Sequence, residues 1–343
     1  MTARARAKTL ILSWFDKGQP SAELRKRFSR DVDVFFETIA ARNDWRECLT
    51  TVLDDKGALG FRMTGRDLRV RPSSKGLAVT SVVPGWNFGW SRVLPDPISY
   101  DVLSWLGHYA HQYIHRSHIA KVLMSVWERN RLVLHPFGSS VLVQRYGAVG
   151  PIPSSSRMFA AADLAITEQF GTLSHQRLSA SRSGWTSRNT LDPAIHQGIF
   201  HFLRARNLVT SGFKMEALAA FDCVLHSLQY MDWSWAAGNP RRDRADLYRA
   251  LGMSRTSVAL AEHVYFLRNQ FVAHAGGWRW WDAVEHLEGD LIDKVSNTTL
   301  RALRRAADLE HSHRRIDPVP DDWSRWFEEN FPIIWSAVWF RQS

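Results

Sequence analysis

Apolar positions recur at helical intervals over most of the chain and at strand intervals in one limited stretch. Residues 20–43 set Leu24, Phe28, Val32, Phe35, Phe36 and Ile39 on one side of a helix, with Ser21 placed to cap its start. Between 47 and 85 the period changes. Thr50-Thr-Val-Leu53 runs into the turn signal Asp54-Asp-Lys-Gly57. Asp67-Leu-Arg-Val-Arg-Pro72 then alternates, and Leu77-Ala-Val-Thr-Ser-Val-Val-Pro84 is dense in β-branched residues, as strands are. A helical pattern returns over 99–128. Leu132–His135 and Val141–Gln144 read as a hairpin, and 157–170 as another helix. From 191 onward the pattern predicts helices over 192–209, 213–231, 241–252, 257–274, 282–312 and 321–341.

The expected architecture is mainly α. An α+β module over residues 1–150 precedes a helix and a Ser/Arg-rich linker over 151–190, and an all-α helical bundle fills 191–343.

Composition narrows the setting. Sixteen Trp among 343 residues is far above ordinary usage, so these rings need burial or a stacking partner. Two cysteines, Cys48 and Cys223, provide neither a disulfide framework nor a Cys-based zinc site. No apolar run approaches the length of a membrane span, and the apolar run after the basic N-terminus is too short for a signal peptide. A cytoplasmic location and no membrane partner are expected.

The formal charge of +10 is uneven along the chain. Residues 1–150 hold 22 Lys+Arg against 13 Asp+Glu, and residues 151–343 hold 22 against 21. A basic N-terminal half favours a polyanion, and nucleic acid is the commonest one inside a cell. Arg25, Lys26, Arg27 and Arg30, clustered in the first half of the helix over 20–43, are its candidate phosphate contacts, together with Arg279 further on.

Two motifs carry chemistry. His108, His111, His115 and His118 are spaced three, four and three apart, which puts all four imidazoles on one helix face. Histidines one turn apart can chelate a transition metal. No Cys or carboxylate nearby completes a known signature, so a polar or interface stripe competes with the metal reading.

The second motif is Tyr265-Phe-Leu-Arg-Asn-Gln-Phe-Val-Ala-His274, followed by Ala275-Gly276-Gly277. Val264, Leu267, Phe271 and Val272 make it an amphipathic helix, and the glycines are a plausible stop. Arg268 can grip a phosphate with two parallel hydrogen bonds. Asn269 can orient it, and His274 can transfer a proton near neutral pH. Six residues along a helix is a rotation of about 600°, so Arg268 and His274 do not share a face of one continuous helix. Arg129-Asn130 and His135 repeat the spacing, but Pro136 after His135 disfavours a helix there.

The Arg268–Asn269–His274 pattern resembles the signature of HEPN domains, an all-helical family of many prokaryotic toxins and RNA-processing factors. The resemblance covers about residues 190–315. It implies a metal-independent endoribonuclease with Arg268, Asn269 and His274 as its catalytic residues and no cofactor. It further implies a homodimer through the motif helix, with an antitoxin or defence partner in a toxin or antiphage setting. Two alternatives stand beside it. Ala245–Leu251, the turn Gly252-Met-Ser254 and a helix from Arg255 read as a helix-turn-helix, which would present Arg255, Thr256 and Ser257 to duplex DNA. The other is a non-enzymatic RNA- or protein-binding scaffold.

Overall fold

Ser21 begins a helix: its hydroxyl accepts from the Leu24 amide at 3.2 Å, and the expected apolar stripe is buried behind it from Phe28 to Ile39, with Leu24 only partly so. The computed structural model describes residues 1–54, 61–74, 76–86, 89–130, 142–148, 155–170, 178–179, 185, 191–233, 243–270, 287, 289–313 and 322–338. Their helices are α1 (Ala3–Phe15), α2 (Ala22–Ala41), α3 (Pro97–Ser99), α4 (Trp105–Asn130), α5 (Ser155–Phe170), α6 (Pro193–Thr210), α7 (Lys214–Leu228), α8 (Arg244–Ala250), α9 (Arg255–Arg268), α10 (Leu291–His313) and α11 (Trp323–Val338). The strands are β1 (Arg46–Asp54), β2 (Phe61–Thr64), β3 (Leu68–Ser73), β4 (Gly76–Pro84), β5 (Leu142–Ala148) and β6 (Leu178–Ser179). The described chain is mainly helical, with one sheet in the order β5-β1-β4-β3-β2-β6. Its pairings are antiparallel except for β2 with β6. Val141–Gln144, expected as half of a hairpin, overlaps β5, while its expected mate at 132–135 lies outside the described residues.

The chain packs into two compact units. One holds residues 1–119, 140–181 and 317–343, and the other holds 120–139 and 182–316. This division crosses the sequence boundaries at 150 and 191, because packing does not follow chain order. α11, from the C-terminal end, packs on α1 and α2. The charge asymmetry dissolves with it. The first unit has 23 Lys+Arg against 19 Asp+Glu, and the second has 21 against 15. The excess is therefore +4 and +6, with the acidic 317–343 segment offsetting the basic N-terminal half.

Within the first unit, the alternation of strand side chains gives the sheet two different faces. On one, Cys48 and Val82 pack with Met158, Phe159 and Ala162 of α5. Burial pushes the Cys48 thiol up to about 12, so it behaves as a small apolar side chain. The opposite face presents Glu47, Thr51 and Ser81 to histidines of α4. The chain reaches α4 through α3, capped by Asp96, and a π-turn over Tyr100–Ser104. Gly107 in α4 admits the Trp90 ring: a Cβ there would lie 2.7 Å from Trp90 Cζ2.

Much of the tryptophan excess in this unit is core. Trp86, Trp90 and Trp323 are fully buried. Phe327 of α11 lies with its ring centroid 5.3 Å from Trp86 and 6.0 Å from both Phe35 and Phe36.

In the second unit α6 starts at Pro193 behind Asp192, whose carboxylate accepts from the Ala194 amide at 2.8 Å. α6 packs along α7, and α7 against α9 and α10. Trp127 meets Phe202 edge-on at 4.8 Å, and Phe202 meets Phe221 at 6.0 Å. Glu128 accepts from Trp185 Nε1 at 2.6 Å and from Arg304 Nη2 at 2.7 Å. Gly252, at φ +66°, ends α8 in a left-handed conformation that suits glycine. Ser254 then caps α9 by accepting from the Ser257 amide at 3.2 Å.

Candidate functional site

The histidine stripe of α4 faces inward. His111, His115 and His118 are buried, and His108 is partly so. His111 Nε2 lies 2.8 Å from Glu47 Oε2. His115 Nε2 lies 2.7 Å from Thr51 Oγ1 and its Nδ1 2.8 Å from Ser81 Oγ. His118 Nδ1 lies 2.9 Å from the same Ser81 oxygen, and its Nε2 is 3.2 Å from Asp67 Oδ2.

The shared hydroxyl has one proton, so Ser81 donates to at most one of these two Nδ1 atoms. With neutral rings and the His118 proton on Nε2, facing the Asp67 carboxylate, Ser81 donates to His118 Nδ1. His115 Nδ1–H then donates to Ser81, and Thr51 donates to His115 Nε2. Ser81, His118 and Asp67 stand in the sequence of a nucleophilic triad, but Ser81 is fully buried, so no substrate reaches it.

Among the described residues no group of three His, Cys, Asp or Glu could hold a metal ion. The spacing that suggested chelation at His108, His111, His115 and His118 instead places His111, His115 and His118 against polar side chains of the sheet and of Asp67 beside it. Burial, with His118, His111 and Arg116 adding to it, lowers the His115 pKa to about 3.

The Arg25–Arg30 cluster is exposed as expected, but its arginines already have carboxylates nearby. Arg25 donates to both Asp16 oxygens at 2.7 and 3.0 Å, Arg27 lies 3.9 Å from Asp96, and Arg30 lies 3.8 Å from Asp31. Lys26 is exposed. This face is a mixed, solvated one rather than a run of unopposed cations. Arg279 lies outside the described residues.

The second unit holds the stronger cluster. Arg268 ends α9, and Asn269 follows in helical conformation as its C-cap. α9 packs along α7, which carries Asp222 with a side chain only 3% exposed. Arg268 Nη1 lies 3.5 Å from Asp222 Oδ2 and 3.5 Å from Asn269 Oδ1. Arg244, the first residue of α8, donates from Nη2 to Asp222 Oδ1 at 2.6 Å. It also donates to the Tyr248 hydroxyl at 3.0 Å and lies over the Tyr265 ring at 4.2 Å. Burial holds the Tyr248 phenol up at about 12, so it remains a neutral partner.

A buried carboxylate needs such partners to stay ionised. Asp222 offsets one of the two guanidiniums, and Glu262, exposed on α9, is a further carboxylate acting on Tyr248. Arg204, exposed on α6, adds a third guanidinium that acts on Cys223 of α7 and on His201. His226, one turn beyond Asp222, keeps an exposed surface, and partial burial of its ring lowers its pKa. Asp222 opposes that shift, and Arg244 and Arg268 reinforce it.

Arg268 and Asn269 thus sit together in the cluster, and His274 lies outside the described residues. The motif gave no sign of Asp222, Arg244 or His226. The i, i+4 pairing of Asp222 with His226 was readable only as helix periodicity. Comparison with known protein families, curated proteins and solved structures gives no match. Among the described residues no helix is long and apolar enough to cross a membrane.

Proposed function

We propose that the second unit is a metal-independent endoribonuclease of the HEPN kind, with its site at the C-terminal end of α9. The observation that carries this reading is the convergence of Arg244 and Arg268 on buried Asp222. It holds the motif arginine in place and sets two guanidiniums against Asp222 where a phosphodiester would bind. Arg268 is 37% exposed, so its guanidinium can reach a substrate while one edge stays on Asp222. Asn269 orients the bound phosphate, and His274 transfers a proton in the role that the signature assigns it. RNA is the substrate, and a second copy of the chain completes the site in the manner of the resembled family. An antitoxin or defence partner fits that setting.

The test is RNA cleavage in EDTA by wild type and by Arg268→Lys, Asn269→Ala and His274→Ala. Attack by the ribose 2′-OH leaves a 2′,3′-cyclic phosphate. His274→Ala should lose about 10²–10⁴-fold, the usual worth of one proton-transfer group. Arg268→Lys should also be severe, because Lys lacks the two-pronged donor. Asn269→Ala should cost less. Equal cutting by wild type and by Arg268→Lys and His274→Ala, or loss of cleavage in EDTA, overturns the assignment.

The helix-turn-helix reading has its own support. α8, the Gly252 turn and α9 follow in the expected order, with Arg255 and Thr256 exposed and Ser257 partly buried. Against it, α8 has seven residues, and α9 buries Ala261, Val264 and Leu267. Protection of duplex DNA without RNA cleavage would favour it, and neither activity would favour a scaffold.

A further inference from the structure

We propose that His226 is a catalytic residue of this site, the base that takes the proton from the attacking 2′-hydroxyl. The inference rests on the ribonuclease reading above and adds a residue that the signature does not contain.

Geometry places it. His226 follows Asp222 by four residues on α7, so both side chains project from one helix face. Asp222 is the buried anchor on which Arg244 of α8 and Arg268 of α9 meet. His226 lies one turn further along and is exposed. Its Nε2 lies 3.4 Å from the Tyr230 hydroxyl, and the two rings meet edge-on at 5.3 Å. With Nε2–H donating to Tyr230, the lone pair is on Nδ1.

The charged and titratable groups acting on this imidazole are Asp222 on its own helix, Arg244, Arg268 and, from α6, His201. Arg204 on α6 acts on the neighbouring His201. Partial burial first, and then two guanidiniums against the opposing Asp222 carboxylate, favour the neutral ring, which is the form a base needs. The same guanidiniums meet on Asp222 one helical turn away, where a phosphodiester anion would be held.

The step balances. The 2′-hydroxyl gives its proton to His226 Nδ1 as its oxygen bonds to phosphorus. The bond from phosphorus to the 5′ oxygen breaks, and that oxygen leaves with the proton that His274 supplies in the role assigned to it above. The products are a 2′,3′-cyclic phosphate and a 5′-hydroxyl, and no redox partner is required.

The experiment measures RNA cleavage across pH 4–8 for wild type, His226→Ala, His226→Gln and Arg268→Ala, with and without added imidazole. The proposal expects wild-type kcat/KM to fall about tenfold per pH unit on the acid side, as a single required base does. His226→Ala should lose about 10²–10⁴-fold, flatten that limb and regain activity with imidazole. His226→Gln should lose as much without rescue. If His226→Ala cuts within about threefold of wild type while Arg268→Ala does not, His226 is not the base and the ribonuclease reading stands. A loss that imidazole does not restore, with the acid limb unchanged, also overturns the proposal. If wild type cuts no RNA, both readings fall together.

Discussion

His115 offers the sharpest test of how the first unit is built. Its ring is enclosed between Thr51 and Ser81, and its pKa is lowered from 6.5 to about 3, first by burial and then by the neighbouring histidines and Arg116. The unfolded chain has no such enclosure. A group whose folded pKa is depressed contributes fully above its unfolded pKa. Its contribution is lost as pH falls, because the unfolded state takes up the proton and the folded state does not. The window opens at pH 6.5 and closes near pH 3. At about 1.4 kcal/mol per pH unit inside the window, this one imidazole removes about 2 kcal/mol between pH 7 and pH 5, and about 3 kcal/mol by pH 4.

Other groups titrate over the same range, so the measurement is a difference. Urea unfolding of wild type and His115→Gln at pH 7, 6, 5 and 4 should give a wild-type stability that falls more steeply by those amounts. The variant starts lower at pH 7, because Thr51 and Ser81 each lose a partner, but its slope lacks the His115 contribution. An NMR titration of the His115 ring proton should show no protonation above pH 5. Parallel pH slopes for the two proteins, or a ring that titrates near 6.5, would refute the enclosure argument.

Phe327→Ala should cost about 3–5 kcal/mol by chemical denaturation, because the ring joins Trp86, Phe35 and Phe36 and its loss leaves a cavity. A cost below 1 kcal/mol would show that α11 does not depend on that contact. Gly198→Ala should destabilise by about 1–3 kcal/mol, because the new Cβ would lie 2.7 Å from Leu303 Cδ2 and 3.0 Å from Ser227 Oγ. An unchanged midpoint in thermal unfolding would show that α6 shifts away from α7 and α10 without penalty.

The sequence by itself determined the local elements, because their causes act within a few residues. Ser21 and Ser254 cap helices through amides three positions on, and Gly252 stops one because it tolerates positive φ. The β-branched stretch 77–84 forms β4, and the 3-4-3 spacing of the histidines put them on one helical face, as read. What covers that face was not legible. Strand alternation turned Glu47, Thr51 and Ser81 toward α4, so a stripe with metal-ligand spacing became interior hydrogen bonding. Arg268 and Asn269 could be picked out as a pair, but the carboxylate that holds Arg268 comes from a helix 46 positions earlier, and the second arginine from another. Contacts so distant in sequence have no local periodicity to announce them. They arise when helices close over one another and a buried charge must find its partners. The same closure carried the acidic C-terminal segment into the first unit and levelled a charge contrast that was real along the chain but not in the folded protein.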